Sequence, residues 1–356
     1  MSAHIFFSKY FPAPKFLDLA SVGIDISPLA IRMIEITDRS RLEVGKYAEA
    51  TLTEPFLIAE GDHKEAKEIL KKWKKEYKLE YIKASLPEDK AYLFDTEIEF
   101  GTETSMRSSI EFSLEENVPL SGADVIFDYR LIGDSTKEGF VKVAVTVLPL
   151  EVINAYITFF HECGLTPVSF LIEAQGLSRA LVTRGDQNTY LIVNIHTTKT
   201  TVFIISKGAV QFTSTVPIGS IDFVTALQKQ FSLSVEEAEK LKQSKGFTRT
   251  DDNEVLSALI STASAFRQEM EKVYIYWNKH RVSVDATESI QKIILAGKEA
   301  LTLGFKEYLA QSLHVPIEAG NVWANIASVE EYVPPVPLTM AINFGTAIGL
   351  ALPENE

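Results

Sequence analysis

One pattern occurs twice in this chain of 356 residues. With Asn194 placed on Asp25, a shift of 169 residues, Val193 falls on Ile24, Ile195 on Ile26, Phe203 on Ile34 and Ile205 on Ile36. Val22–Ile26 and Ile31–Ile36 read as strand, tight turn and strand, because apolar residues alternate and turn-formers separate the runs. A third strand follows each copy, at Leu42–Thr51 and at Ala209–Val216. The duplication is more informative than either copy, since a single hairpin is an ordinary meander turn. It predicts an α/β chain of two units that open alike. At this length, with 46% hydrophobic residues, each unit can bury its own core.

The segments between the copies set the predicted boundaries. Asp62–Lys78 reads as a helix with Ala66, Ile69, Leu70, Trp73 and Tyr77 on one face and Lys64, Lys67, Lys71, Lys74, Lys75 and Lys78 on the other. That lysine face reads first as a solvated surface, with an anionic membrane or an acidic partner as the functional alternative. After Leu86-Pro87 the texture changes. Strands at Ala91–Phe100, Val125–Leu131 and Val141–Leu148, with helices at Thr104–Asn117 and Leu150–Cys163, predict a small inserted α+β unit closed by Gly164-Leu165-Thr166-Pro167. A strand (Val168–Leu171) and a helix (Glu173–Val182) then return to the first unit. The second unit adds helices at Gly219–Gln230, Ser234–Lys245, Asn253–His280, Lys298–Ser312 and Leu338–Leu350, and a buried strand at Ile293–Ala296. The expected division is 20–86 and 167–187 for the first domain, 87–166 for the insert and 188–356 for the second domain.

Charge and composition exclude several classes of function. A net charge of −13 repels a phosphate backbone, so nucleic acid is not the expected partner. The single cysteine, Cys163, cannot form an internal disulfide, and the six histidines (His4, His63, His161, His196, His280, His314) lie scattered without metal-ligand spacing. No Gly-x-Ser-x-Gly elbow is present. Lys9 and Pro12 interrupt the apolar Ile5-Phe6-Phe7 and Tyr10-Phe11 well before a membrane span is complete, and no secretory signal is apparent. A cytoplasmic location is therefore expected.

A strand that ends in an acid and enters a tight turn sets backbone N–H groups beside a carboxylate. Such a turn can cradle phosphate while the acid, here Asp25, holds a metal ion through water. Two such turns facing one cleft can clamp a polyphosphate from both sides.

Gly23-Ile24-Asp25-Ile26 followed by Ile31-Arg32-Met33-Ile34-Glu35 resembles the first phosphate motif of the superfamily of actin, the heat-shock chaperone ATPases and the sugar kinases. Within it the chain is similar to the PilM family of type IV pilus assembly proteins, relatives of the cell-division protein FtsA. Ser85-Leu86-Pro87, Val118-Pro119, Phe127-Asp128-Tyr129 and Cys163-Gly164-Leu165-Thr166-Pro167 carry the likeness in the insert. Pro217-Ile218-Gly219, Glu237–Lys242, Leu295-Ala296-Gly297 and Ala347–Leu352 carry it in the second half. The resemblance implies a two-domain actin-like (RNase H-like) fold with an inserted subdomain and ATP with Mg2+ in the interdomain cleft. It also implies a place at the cytoplasmic face of the inner membrane, gripping the N-terminal peptide of a PilN-like single-span protein near 87–166 and linking a pilus or type II secretion platform to its motor. The oligomeric state is left open. The nucleotide-binding positions it implies are Asp25, Ser27, Arg32, Asn194, His196, Thr197, Thr198, Lys199, Gly219, Glu239, Lys242, Gly297 and Lys298, with Asp25 as the catalytic and metal-holding acid.

The chain departs from that family in its turns. Ser27-Pro28-Leu29 stands where the first phosphate turn has Gly-Ser/Thr, and proline has no N–H to donate. Asn194-Ile195-His196 replaces an acid followed by glycine, and Ala296-Gly297-Lys298 keeps one of two glycines. Lys199 is expected to replace lost metal charge by direct phosphate contact. Glu239 and Lys242 are expected either to touch ribose and adenine or to form a surface pair. The expected function is a scaffold with a degenerate ATP site and little or no turnover. The alternatives are a working ATPase or kinase built on Asp25, and a filament-forming FtsA relative; for the latter, Gly349–Glu356 ends too soon for an amphipathic membrane helix.

Overall fold

The computed structural model describes residues 21–38, 42–59, 61–133, 139–249, 253–282, 288–311, 313, 315–326 and 332–353. The aromatic segment before Ser21, His4, His314, Ser312 and the end of the Gly349–Glu356 segment lie outside them.

The duplication extends to whole sheets. The first sheet is built from β1 (Ser21–Ser27), β2 (Ala30–Asp38), β3 (Glu43–Thr51), β4 (Tyr81–Leu86) and β8 (Thr166–Ile172), ordered β3-β2-β1-β4-β8. The second is built from β9 (Thr189–Ile195), β10 (Thr200–Ser206), β11 (Ala209–Val216), β12 (Ile290–Ala296) and β13 (Ile317–Ala319), ordered β11-β10-β9-β12-β13. In both, three antiparallel strands continue into two parallel ones. The shift read from the sequence holds in the pairing: Asp25 lies opposite Arg32 as Asn194 lies opposite Thr201, and Ile24 opposite Met33 as Val193 opposite Val202. The sequence expectations include neither of the parallel strands β4 and β13, six and three residues long.

Helix α1 (Lys64–Tyr77) buries Ala66, Leu70 and Trp73 against the first sheet. The insert consists of β5 (Tyr92–Glu99), β6 (Val125–Leu131) and β7 (Phe140–Pro149), ordered β5-β7-β6, with α2 (Glu103–Asn117) on one face. Helix α3 (Leu150–Glu162) was expected in the insert. Instead its apolar stripe of Val152, Tyr156, Phe159 and Phe160 enters the first domain's core beside Phe56. Helix α4 (Glu173–Leu181) returns to the first sheet.

The second core holds α5 (Ser220–Phe231), α6 (Val235–Lys245) and α7 (Glu254–Trp277), the last continuing as a π turn over Asn278–Val282. Ser234 and Glu237 cap α6 reciprocally, as the Ser-Val-Glu-Glu start suggests. Two expected helices are broken. Lys298–Leu301 is a 3-10 turn separated from α8 (Phe305–Ala310) at Gly304, whose φ of 71° sets the chain against the Phe247 backbone. The last segment divides into α9 (Leu338–Ala341), a 3-10 turn and α10 (Gly345–Ala351).

Helix α10 is buried all round and lies in the first core although its sequence follows the second domain. A helix apolar on every side needs two surfaces, and it takes β1 and α4. The approach is so close that a Cβ on Gly349 would fall 1.7 Å from the Gly176 carbonyl oxygen.

Candidate functional site

The ends of β1 and β9 face each other across a cleft of about 450 Å3 between the two domains. Asp25, Ser27, Arg32, Asn194, His196, Thr197, Thr198, Gly297 and Lys298 all line it, so the two hairpin turns and the glycine turn after β12 meet at one cleft. Lys199, Gly219, Glu239 and Lys242 do not line it.

Asp25 is 4% exposed, and its Oδ1 accepts from the Ser85 hydroxyl at 2.8 Å. Burial pushes its carboxyl above the ordinary range, with Glu173 adding to the rise and Arg32, Ser85 and His196 opposing it. Arg32 reaches Asp25 only at 3.8 Å and pairs instead with Glu49 at 2.8 Å. Within the first turn the carbonyls of Pro28 and Leu29 accept from the N–H groups of Phe56 and Leu52. Pro28 itself offers no N–H to a ligand.

Across the cleft, Glu173 organises the second turn. Its Oε1 accepts from Asn194 Nδ2 at 2.9 Å and lies 2.8 Å from His196 Nε2. Burial alone would raise the Glu173 carboxyl, but the His196 ring and the Asn194 amide outweigh it and hold it down to about 2. Glu173 opens α4 in the first domain while Asn194 and His196 lie on the second, so this contact ties the domains together. In the sequence Glu173 marks only the start of a helix. Its signal was an acid placed directly after a strand at a helix N-terminus.

The first N–H groups of α5 are engaged within the protein, although Ser220 lines the cleft. Ser220 and Ile221 donate to the carbonyls of His196 and Thr197 at 2.9 Å, and Gly219 donates to its own capping partner Asp222 at 2.8 Å. Gly219 is required there, since a Cβ would lie 2.4 Å from the Thr197 carbonyl oxygen.

Charged side chains expected at the adenosine end are committed to one another. Lys298 pairs with Glu239, whose other oxygen is 3.0 Å from Lys242. Lys242 is 1% exposed and pairs with the equally buried Glu299, which also accepts from Thr302 at 2.9 Å. Lys242 is therefore neither a surface residue nor free to meet a base. Lys199 lies 3.7 Å from Asp89, on the path into the insert. Among the described residues no group of three His, Cys, Asp or Glu could hold a metal ion, and no helix is long and apolar enough to cross a membrane.

Residues 23–355 match the family described as type IV pilus assembly protein PilM. Among solved structures, the chain is similar to the PilM-PilN type IV pilus biogenesis complex over 94% of its length and 98% of that chain, at 18% identity with a TM-score of 0.74. It is also similar to the ethanolamine utilization protein EutJ from Carboxydothermus hydrogenoformans, over 96% of this chain and 91% of that one (16% identity, TM-score 0.53). MreB5 of Spiroplasma citri bound to ADP matches over 87% and 94% (11% identity, TM-score 0.53). At such identities the structural likeness speaks for the fold, which is actin-like, with two domains and an inserted α+β subdomain. Because the family match spans nearly every residue, the chain belongs to the type IV pilus assembly protein PilM family.

Proposed function

We propose that the chain is a scaffold of the inner-membrane platform of a type IV pilus or type II secretion system, working at the cytoplasmic face and gripping the N-terminal peptide of a PilN-like membrane protein. The observation that carries this reading is the free edge of β6. The other edge of the insert is fixed to the second domain: Asp95 on β5 is held by Arg281 at 3.0 Å. Strand β6 has no outer neighbour among the described residues. Beside it, a hollow of about 140 Å3 runs to α4, lined in part by Arg130, Ser178, Arg179 and Val182, and Ile126 is 46% exposed on the strand. An extended peptide can add to such an edge through its main chain and place side chains in the hollow. The solved relative is itself a complex with PilN. A labelled peptide of the partner's N-terminal segment tests it: Ile126→Asp is expected to weaken binding at least tenfold with the melting temperature unchanged, and unaltered binding refutes the reading.

In this reading the interdomain cleft keeps the shape of a nucleotide site without its grip. Arg32 and Lys298 in its lining are engaged by carboxylates, the first turn has a proline, and the first N–H groups of α5 serve the second turn. ATP with Mg2+ does not fit this donor set. A second reading, an ATPase built on Asp25, draws support from the convergence of Asp25, Thr197, Thr198 and Gly297 on one cleft. It requires phosphate release that Asp25→Ala abolishes.

A further inference from the structure

We propose that the exposed lysine face of α1 is a docking surface for an anionic lipid bilayer. Residues 64–78 carry seven lysines against three glutamates in a chain whose net charge is −13. The structure sorts these lysines into two groups. Lys67 pairs with Asp62 at 3.1 Å and Glu162 at 2.8 Å, Lys74 donates to the Gly164 carbonyl, and Lys64 lies 3.6 Å from Asp62. The Glu162 and Gly164 contacts hold α1 against the C-terminal end of α3, and Asp62 ties down its first turn. Lys71, Lys72, Lys75 and Lys78 are exposed and form no ion pair with a described carboxylate.

Their placement is fixed by the core. Leu70 and Trp73 bury the opposite side of α1, so the helix cannot turn the stripe away from solvent. Lys71, Lys75 and Lys78, at i, i+4 and i+7, lie above one another on one face, and Lys72 flanks them. Lys78 caps the helix at φ 58°, a left-handed conformation that glycine adopts without strain, yet the chain places a charge there. The stripe ends where β4 begins. The other end of β4, Leu86, leads to the insert, and the parallel β1 ends at the cleft. A surface that takes the lysines therefore leaves the cleft and the free β6 edge uncovered.

Charge complementarity selects the occupant. The rest of an acidic chain is repelled by an anionic sheet, so attraction confined to one stripe both binds and orients it. The inference goes beyond the peptide reading and stands whether or not that reading holds. The test is flotation of the full chain with vesicles of phosphatidylglycerol or of phosphatidylcholine. Binding to the first and not the second is expected. The combined Lys71→Gln, Lys72→Gln, Lys75→Gln and Lys78→Gln variant should lose it, at about fivefold per lysine. The smaller Lys71→Gln with Lys75→Gln variant should lose part, and Lys229→Gln with Lys240→Gln, exposed elsewhere, should lose none. Failure of the unaltered chain to float with phosphatidylglycerol, equal loss in the Lys229 and Lys240 control, or retention on duplex DNA in place of vesicles would each overturn the proposal.

Discussion

Glu88 is a buried acid at the meeting point of all three units, and replacing it with glutamine should change how stability depends on pH. It lies on the path from β4 into the insert and is 4% exposed. Its Oε2 accepts from the Ala174 N–H at 3.0 Å in the first turn of α4, while its Oε1 accepts no hydrogen bond from described groups. Thr213 on β11 lies beside it. Burial, with a contribution from Glu173, pushes its carboxyl up to about 8 from an unfolded value of 4.5. The folded chain thus keeps a proton that the unfolded chain has released throughout that window. Stability from this group is fully present below the unfolded value and falls as pH rises toward the folded one, by about 1.4 kcal/mol per pH unit. Glutamine keeps the acceptor for Ala174 and supplies a neutral donor toward Thr213. Urea unfolding of the chain and of Glu88→Gln at pH 4, 5.5 and 7.5 should give similar stability at the lowest pH, with the variant ahead by roughly 3–4 kcal/mol at the highest. Parallel pH profiles would refute the reasoning, because they would mean that Glu88 is already ionised in the fold.

Other substitutions probe the same assembly. Glu173→Gln should remove an acid-side loss: a carboxyl held at about 2 gives stability above its unfolded 4.5 that disappears as pH falls toward 2, and thermal melts across that range should be flatter in the variant. Lys242→Met strands the buried Glu299 charge and should cost about 3–5 kcal/mol in unfolding measurements, with much of it recovered when Glu299→Gln is added. Gly219→Ala places a methyl against the Thr197 carbonyl and should destabilise by about 1–3 kcal/mol, read as a lower melting temperature.

The residues that were legible in the sequence are those whose role is local. The alternation in β1, β2, β9 and β10 survives in the pairing to the residue, since strand period and register come from neighbouring side chains. The turn residues that line the cleft follow from where those strands end. What stayed hidden depends on distant partners. Nothing near Lys242 announces Glu299, 57 positions away, so neither a nucleotide contact nor a surface pair, the two roles its sequence context suggests, describes it. Glu173 gains its meaning only when the second domain brings Asn194 and His196 to it. The apolar run at 345–351 follows the second domain in sequence, and only the glycine contact with α4 assigns it to the first core.

Calorimetric titration of the PilN-like N-terminal peptide into the chain, with and without ATP and Mg2+, tests the scaffold reading most directly. The account predicts one peptide affinity in both conditions and no heat of binding from nucleotide alone. Peptide binding that appears only with nucleotide, or no peptide binding at all, would contradict it.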